Sequence, residues 1–357
     1  MRFLITAFCL SLAALAPAHA DDPYTVTGVE IDATADNALQ AQTRAMRQGQ
    51  RLAARALIER LTLAEDRVGT PLETEAADAF ALDDSIIAEM ISGLEIRDEQ
   101  RSSTRYLAKL DVGFHRRSVE RVLDAYGVPF VDSQARPTLV LPVADWQGSL
   151  LLWADNPWRE AWQTRAFAHA LTPMFMPDIA PEDAPLTARQ ALQLDEAALH
   201  ALASRYGVSR IAVLRAGERS GGLRVGGYLL DFGADGAMSV ETWGPETLYG
   251  GWQAAADQIV TSRETDWKHQ SVVRNLEEAE MRVTVLYRGL AEWRRLQTAL
   301  AGASLVRNAQ LDALSRDGAR MTVMYRGATD QLVSELAERG ATLEETPELG
   351  WVVLSTR

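Results

Sequence analysis

The chain has 357 residues, 47% of them hydrophobic, with 36 lysines and arginines against 49 aspartates and glutamates and a net charge of −13. That balance argues against nonspecific nucleic-acid binding and against broad adhesion to anionic lipid. The length predicts two or three domains, each with a core of its own.

The first twenty residues carry one positive charge, Arg2, then an apolar stretch over Phe3–Leu15, and end in Ala18-His19-Ala20 before Asp21-Asp22. A short apolar core and a small-x-small site predict a cleavable secretory signal. The apolar stretch is too short to span a bilayer, and no later segment is longer. Cleavage after Ala20 removes one arginine and no acid, so 337 residues remain and the net charge moves from −13 to −14. It also removes Cys9, the single cysteine. The expected product is a periplasmic chain without disulfides, thiol nucleophile or thiolate metal site, held together by hydrophobic burial.

Tyr24–Ile31 alternates as a first strand, and a helix is predicted over Ala38–Leu61, with Leu52, Leu57, Ile58 and Leu61 as its heavier packing residues. The acidic stretch Ala64–Asp84 reads as a solvated connection. A short helix to Met90, a strand pair near Gly93–Glu99 and Thr104–Phe114, and a helix Arg116–Tyr126 complete an α+β domain over residues 21–128. The arginines scattered over Arg97–Arg121 read as a solvated face or a local basic patch.

Residues 129–271 form the predicted second domain. Val128–Arg136 is a linker, and Thr138–Val143 is a buried strand. Four indoles, Trp146, Trp153, Trp158 and Trp162, then fall within seventeen residues. They fit either a groove for a glycan or peptide, or staples that pin an irregular segment to a core. Asn156-Pro157 starts the helix that carries Trp158, Trp162, Phe167 and Leu171, and prolines 173, 177, 181 and 185 make the following stretch a loop. Helices at Ala188–Leu192 and Glu196–Tyr206 precede a strand Ser209–Ala216, strands Leu223–Phe232 and Met238–Trp243, and a helix from Trp252 toward Trp267. This order predicts an α/β sandwich on a mixed sheet.

Residues 272–357 contain an internal repeat. Arg282-Val-Thr-Val-Leu-Tyr-Arg-Gly289 returns thirty-eight positions later as Arg320-Met-Thr-Val-Met-Tyr-Arg-Gly327. Each copy reads as a strand closed by glycine, followed by a helix with Leu290, Trp293, Leu296 and Leu300, or with Leu332, Val333 and Leu336. Two such units predict a ferredoxin-like split βαβ domain on an antiparallel sheet, finished by a strand at Trp351–Leu354. Tyr287, Arg288, Tyr325 and Arg326 are candidate partner-binding residues, since tyrosine and arginine anchor interfaces. The opposing reading places the tyrosines in the helix–sheet core and the arginines beside nearby acids.

No catalytic or metal pattern is legible. Asp231–Gly236 lacks the third-position oxygen ligand and the glutamate of a calcium loop, and Gly217–Gly227 lacks the lysine and hydroxyl of a phosphate loop. His115, His169, His200 and His269 make no helical metal pair. No cofactor, metal or catalytic residue is expected, although a hydrolase site assembled from distant residues is not visible in sequence.

With these features in place, the chain resembles a proteobacterial family of exported proteins called domain of unknown function 2066. The likeness rests on the long helix after Val29–Ile31, the Tyr106–Phe114 strand, Leu139–Val143 followed by Trp153, and Gly340 through Trp351. It supplies no catalytic residues. Leu139–Val143, Ala198–Tyr206 and Ile211–Leu214 resemble, more weakly, α/β domains of the curli-secretion subunit, penicillin-binding-protein activating lipoproteins, the Tol–Pal translocation protein and a flagellar assembly protein. That resemblance implies a noncatalytic scaffold or adaptor in the cell envelope with protein partners. The alternative is a module binding glycan or peptidoglycan fragments at the tryptophan tract.

Overall fold

The computed structural model describes residues 23–75, 80–131, 133–163, 169–178, 185–233, 237–272, 274 and 278–355. The expected signal segment, Asp78, Phe167, Pro181 and the turn Ala234–Gly236 lie outside them. Helices and strands mix throughout in α+β and α/β layers around three sheets. Among the described residues, no helix is long and apolar enough to cross a membrane.

The first sheet is antiparallel, in the order β1 (Thr25–Thr34), β3 (Arg105–Phe114), β2 (Ile91–Arg101). Helix α1 (Ala38–Leu61) lies across it, capped by Asn37 Oδ1, which accepts from the Gln40 amide at 3.0 Å. Its inward face is a stripe of small residues, Ala41, Ala45, Gly49 and Ala53, then Leu57, Ile58 and Leu61. A Cβ on Gly49 would fall 2.5 Å from both Ile31 Cγ2 and Leu110 Cδ1, so the helix sits closer than any larger residue allows. Leu52, expected inside, is 40% exposed. The stripe turns it toward solvent. Short α2 (Ala64–Arg67), then α3 (Asp84–Met90) and α4 (Arg116–Ala125), complete this layer.

The second sheet runs β5 (Ser149–Leu151), β4 (Thr138–Trp146), β7 (Arg210–Arg219), β8 (Gly222–Phe232), β9 (Met238–Leu248), with β6 (Met174–Phe175) beside the start of β4. β4, β6 and β7 are parallel, and the rest are antiparallel. Helices α5 (Pro157–Gln163) and α8 (Gly251–Ser271) cover one face; α6 (Ala188–Leu192) and α7 (Glu196–Tyr206) cover part of the other. Burial on both faces makes β4 a nearly continuous apolar run.

The repeat folds as β10 (Glu278–Leu286), α9 (Leu290–Gly302), β11 (Val306–Leu314), β12 (Gly318–Arg326), α10 (Thr329–Glu338), β13 (Ala341–Thr346) and β14 (Gly350–Ser355). The sheet order is β11-β12-β10-β14-β13, and β14 runs parallel to β10. The expected wholly antiparallel split βαβ sheet is therefore modified at its fourth place. Val352 and Val353 are buried on opposite faces, so this apolar strand takes the interior position. β13, with exposed Glu344 and Glu345, goes to the edge, where charge is tolerated. Leu290, expected on the packing face of α9, is 62% exposed at its first position.

Two junctions tie the layers together. Trp267 and Val272, from the end of α8, pack into the first core along with Leu171. Trp267 Nε1 donates to Ser133 O at 2.8 Å, and Lys268 Nζ donates to Glu59 O at 2.6 Å. The second junction is a partly buried ion cluster. Glu338 of α10 accepts from the Arg136 amide at 3.0 Å, Arg136 Nε at 3.2 Å and Arg210 Nη2 at 3.0 Å. Asp231 pairs with both arginines at 2.9 Å. Burial alone works against the Glu338 charge, but attraction to Arg210 and the bonds from Arg136 outweigh it and hold its carboxyl below the usual glutamate range. The same partners hold the Arg210 guanidinium above its usual value despite burial.

Candidate functional site

The tryptophan tract does not form a groove. Asn156 Oδ1 accepts from the Trp158 and Arg159 amides at 2.9 and 3.1 Å and starts α5 as a side-chain cap. The helix then turns Trp158 and Trp162 into the core, at 0% and 4% exposure. Trp158 meets Trp162 edge-on at 5.7 Å and Trp252 of α8 at 5.9 Å, while its Nε1 donates to Leu214 O at 3.2 Å. Half-buried Trp146 meets Trp252 edge-on at 5.9 Å. Half-buried Trp153 looks toward the opposite helical layer, with Nε1 donating to Leu186 O at 2.7 Å. These indoles staple helices to both faces of the sheet.

The two tyrosine–arginine pairs are not brought together. β10 and β12 are antiparallel, with Glu278 opposite Arg326 and Leu286 opposite Gly318, so the pairs end at opposite edges of the ladder. Tyr287 and Tyr325 are buried in the helix–sheet core. Tyr287 Oη donates to Ser315 O at 2.7 Å, and Tyr325 Oη shares a 2.8 Å hydrogen bond with Thr329 Oγ1. Both tyrosines are core residues. Arg288 is exposed, whereas Arg326 pairs with Glu278 at 3.1 Å and lines a small cavity with Arg274 and Arg307 beside Val128–Phe130.

A built surface lies on the middle sheet, beyond the cover of α6 and α7. On that face, Leu139, Leu141 and Val143 of β4 are succeeded by Asp145, and Ile211 and Val213 of β7 by Arg215, Gly217 and Arg219. The two-residue period keeps each series on one side. β8 adds Arg224 and Tyr228; β9 adds Thr242. Ladder pairing sets Arg215 opposite Gly226, Gly217 opposite Arg224, and Arg219 opposite Gly222. Every arginine therefore faces a glycine across the β7–β8 pair, and the Asp145 carboxylate of β4 stands between Arg215 and Arg219. The surface is a cationic checkerboard bordering a groove of about 480 Å³.

Close packing fixes the floor. β8 shifts register between Val225 and Gly227, and a Cβ on Gly227 would lie 1.9 Å from Val213 O. Asp145 Oδ2 accepts from Arg215 Nη2 at 2.8 Å and from Arg219 Nη2 at 3.4 Å. The Arg215 hydrogen bond, with the attraction of both guanidinium groups, holds the Asp145 carboxyl below its usual range against the opposing effect of burial. Arg224 is exposed and has no ion-pair partner among the described residues. Among the described residues, no strand pairs with the outer edge of the exposed strand β9.

The sequence contains this surface in full as Arg215-x-Gly217-x-Arg219 and Gly222-x-Arg224-x-Gly226, mirrored about Ser220-Gly221. The stretch is no phosphate loop; its signal is the two-residue strand period of its arginines and glycines. Among the described residues, no group of three or more His, Cys, Asp and Glu side chains could hold a metal ion. Neither the protein-family models nor the curated proteins give a match to this chain.

Proposed function

We propose that the chain is a noncatalytic adaptor of the cell envelope that works in the periplasm through protein–protein contacts. The observation that supports this reading most strongly is the open cationic face of the middle sheet, beside the edge strand β9. An exposed strand edge is a ready template for a partner, and alternate side chains beside it supply selectivity. The two junctions around Trp267 and Glu338 hold this face in a fixed relation to the flanking layers, as an assembly platform requires. The export-type N-terminus and the likeness to the exported family support an envelope location for the same activity. The glycan-binding alternative loses its shelf, because Trp158 and Trp162 lie inside the core.

The test is crosslinking in the native cells, followed by affinity purification and mass spectrometry. One reproducible envelope partner is expected, lost in an Arg215→Glu/Arg224→Glu double variant that retains the wild-type thermal melt. Recovery of the chain alone under several crosslinking chemistries would overturn the adaptor reading.

A further inference from the structure

We propose that the arginine–glycine face of the middle sheet binds an extended, carboxylate-rich peptide segment of the partner protein. This assignment rests on the adaptor reading and adds the chemistry of what is bound. The charge pattern is the first argument. In a chain of net charge −13, this face gathers Arg215, Arg219 and Arg224 against the single carboxylate of Asp145. Field lines from a cationic patch select anionic partners, while the net charge of −13 on every copy opposes self-association.

Asp145 supplies the second argument. Its one carboxylate oxygen already collects N–H donors from two strand positions, at 2.8 and 3.4 Å. The surface therefore recognises a carboxylate with its own side chain. Each guanidinium carries five N–H donors, so a single bond from Arg215 leaves donors for an incoming acid. Arg224 has no acid of its own among the described residues.

Shape is the third argument. Gly217, Gly222 and Gly226 stand directly across from the three arginines, and their missing side chains let Asp145, Leu248 and Pro245 close in, which keeps the surface between the arginines low. An extended peptide directs every second side chain to one side, at a repeat of about 6.6 Å. Alternate glutamates or aspartates in such a segment can descend onto successive arginines while the backbone runs above the glycines. A compact phosphate could meet one or two of these groups, but it would leave most of the checkerboard unused.

The chain lacking residues 1–20 is titrated with fluorescein-labelled hexaglutamate, followed by fluorescence anisotropy at low and at physiological salt. Saturable binding that weakens as salt rises is expected. Arg224→Glu should weaken it about tenfold, as loss and reversal of one exposed charge pair allows. Arg294→Glu, an equal charge change on α9 of the last domain, should alter it by less than about twofold. Asp145→Asn should tighten binding by freeing Arg215 and Arg219, a gain that no folding defect produces.

The proposal is overturned by the absence of saturable binding, by equal losses in the Arg224 and Arg294 variants, or by weaker binding in Asp145→Asn. Displacement by millimolar phosphate as effective as by millimolar glutarate would also overturn it, in favour of a phosphate site. If hexaglutamate fails while the crosslinked partner is still recovered, only the ligand chemistry falls. If hexaglutamate binds while no partner is recovered, the adaptor reading falls instead.

Discussion

Replacing Glu338 by alanine should loosen the last domain from the middle one. The carboxylate is 15% exposed and accepts three hydrogen bonds, two from Arg136 and one from Arg210, across the domain boundary. A charged hydrogen bond contributes about 1.5–3 kcal/mol, and breaking a fully buried pair from one side costs about 3–5 kcal/mol. Here Asp231 remains paired with both arginines, so neither is stranded. Residual solvent access screens the cluster as well. The expected loss is about 2–3 kcal/mol for Glu338→Ala, and about half that for Glu338→Gln, which keeps an acceptor but not the charge. Guanidinium unfolding followed by tryptophan fluorescence reads the change, because Trp293 and Trp351 both pack in the last domain. The transition should broaden or split as that domain uncouples. A double-mutant cycle with Arg210→Ala should give a coupling of at least about 1 kcal/mol. Additivity within about 0.3 kcal/mol would refute the claim that this cluster links the domains.

The same carboxyl makes the junction acid-sensitive. Its folded pKa is depressed, so its contribution is present above the unfolded value of about 4.3 and is lost as pH falls through the folded value. Wild-type thermal stability should therefore drop more steeply than that of Glu338→Gln below about pH 4.3, and parallel melting curves would contradict the assignment. Trp158→Ala should cost about 3–5 kcal/mol in chemical denaturation, because the indole is fully buried; a near-neutral result would mean that it is not a core staple. Gly227→Ala should destabilise by about 1–3 kcal/mol or more, since the new methyl would meet Val213 O. An unchanged midpoint would show that the register shift in β8 relaxes freely.

The strand–helix order was legible because periodicity and punctuation agreed along most of the chain. The repeat's strands, the small-residue helix α1 and the buried strand β4 all follow from local pattern. Leu52 and Leu290 lie outside the packing faces that their size suggests, because the small-residue stripe and the helix start set the angular position of each helix. The insertion of β14 beside β10 depends on competition between two strands for an interior place, and local pattern does not report that competition. The Glu338 junction joins Arg136 and Arg210, separated from it by 202 and 128 positions, so no local spacing encodes it. The indoles were visible as a cluster, but their direction depended on the Asn156 cap and on Trp252, about ninety residues beyond. The arginine–glycine face was the opposite case. Its spacing was printed in the sequence, and its meaning appeared once the ladder register set each arginine against a glycine.

The most direct test of the central claim is site-specific photocrosslinking in the native cells. A photoreactive side chain at Thr242, which lines the cationic groove, is compared with one at Leu39, exposed on α1 in the first domain. The account predicts one discrete envelope protein trapped at Thr242 and missing at Leu39, with loss of the adduct when Arg224 is reversed to glutamate. Equal adducts from both positions, or an adduct at Leu39 alone, would contradict a docking function for the middle sheet.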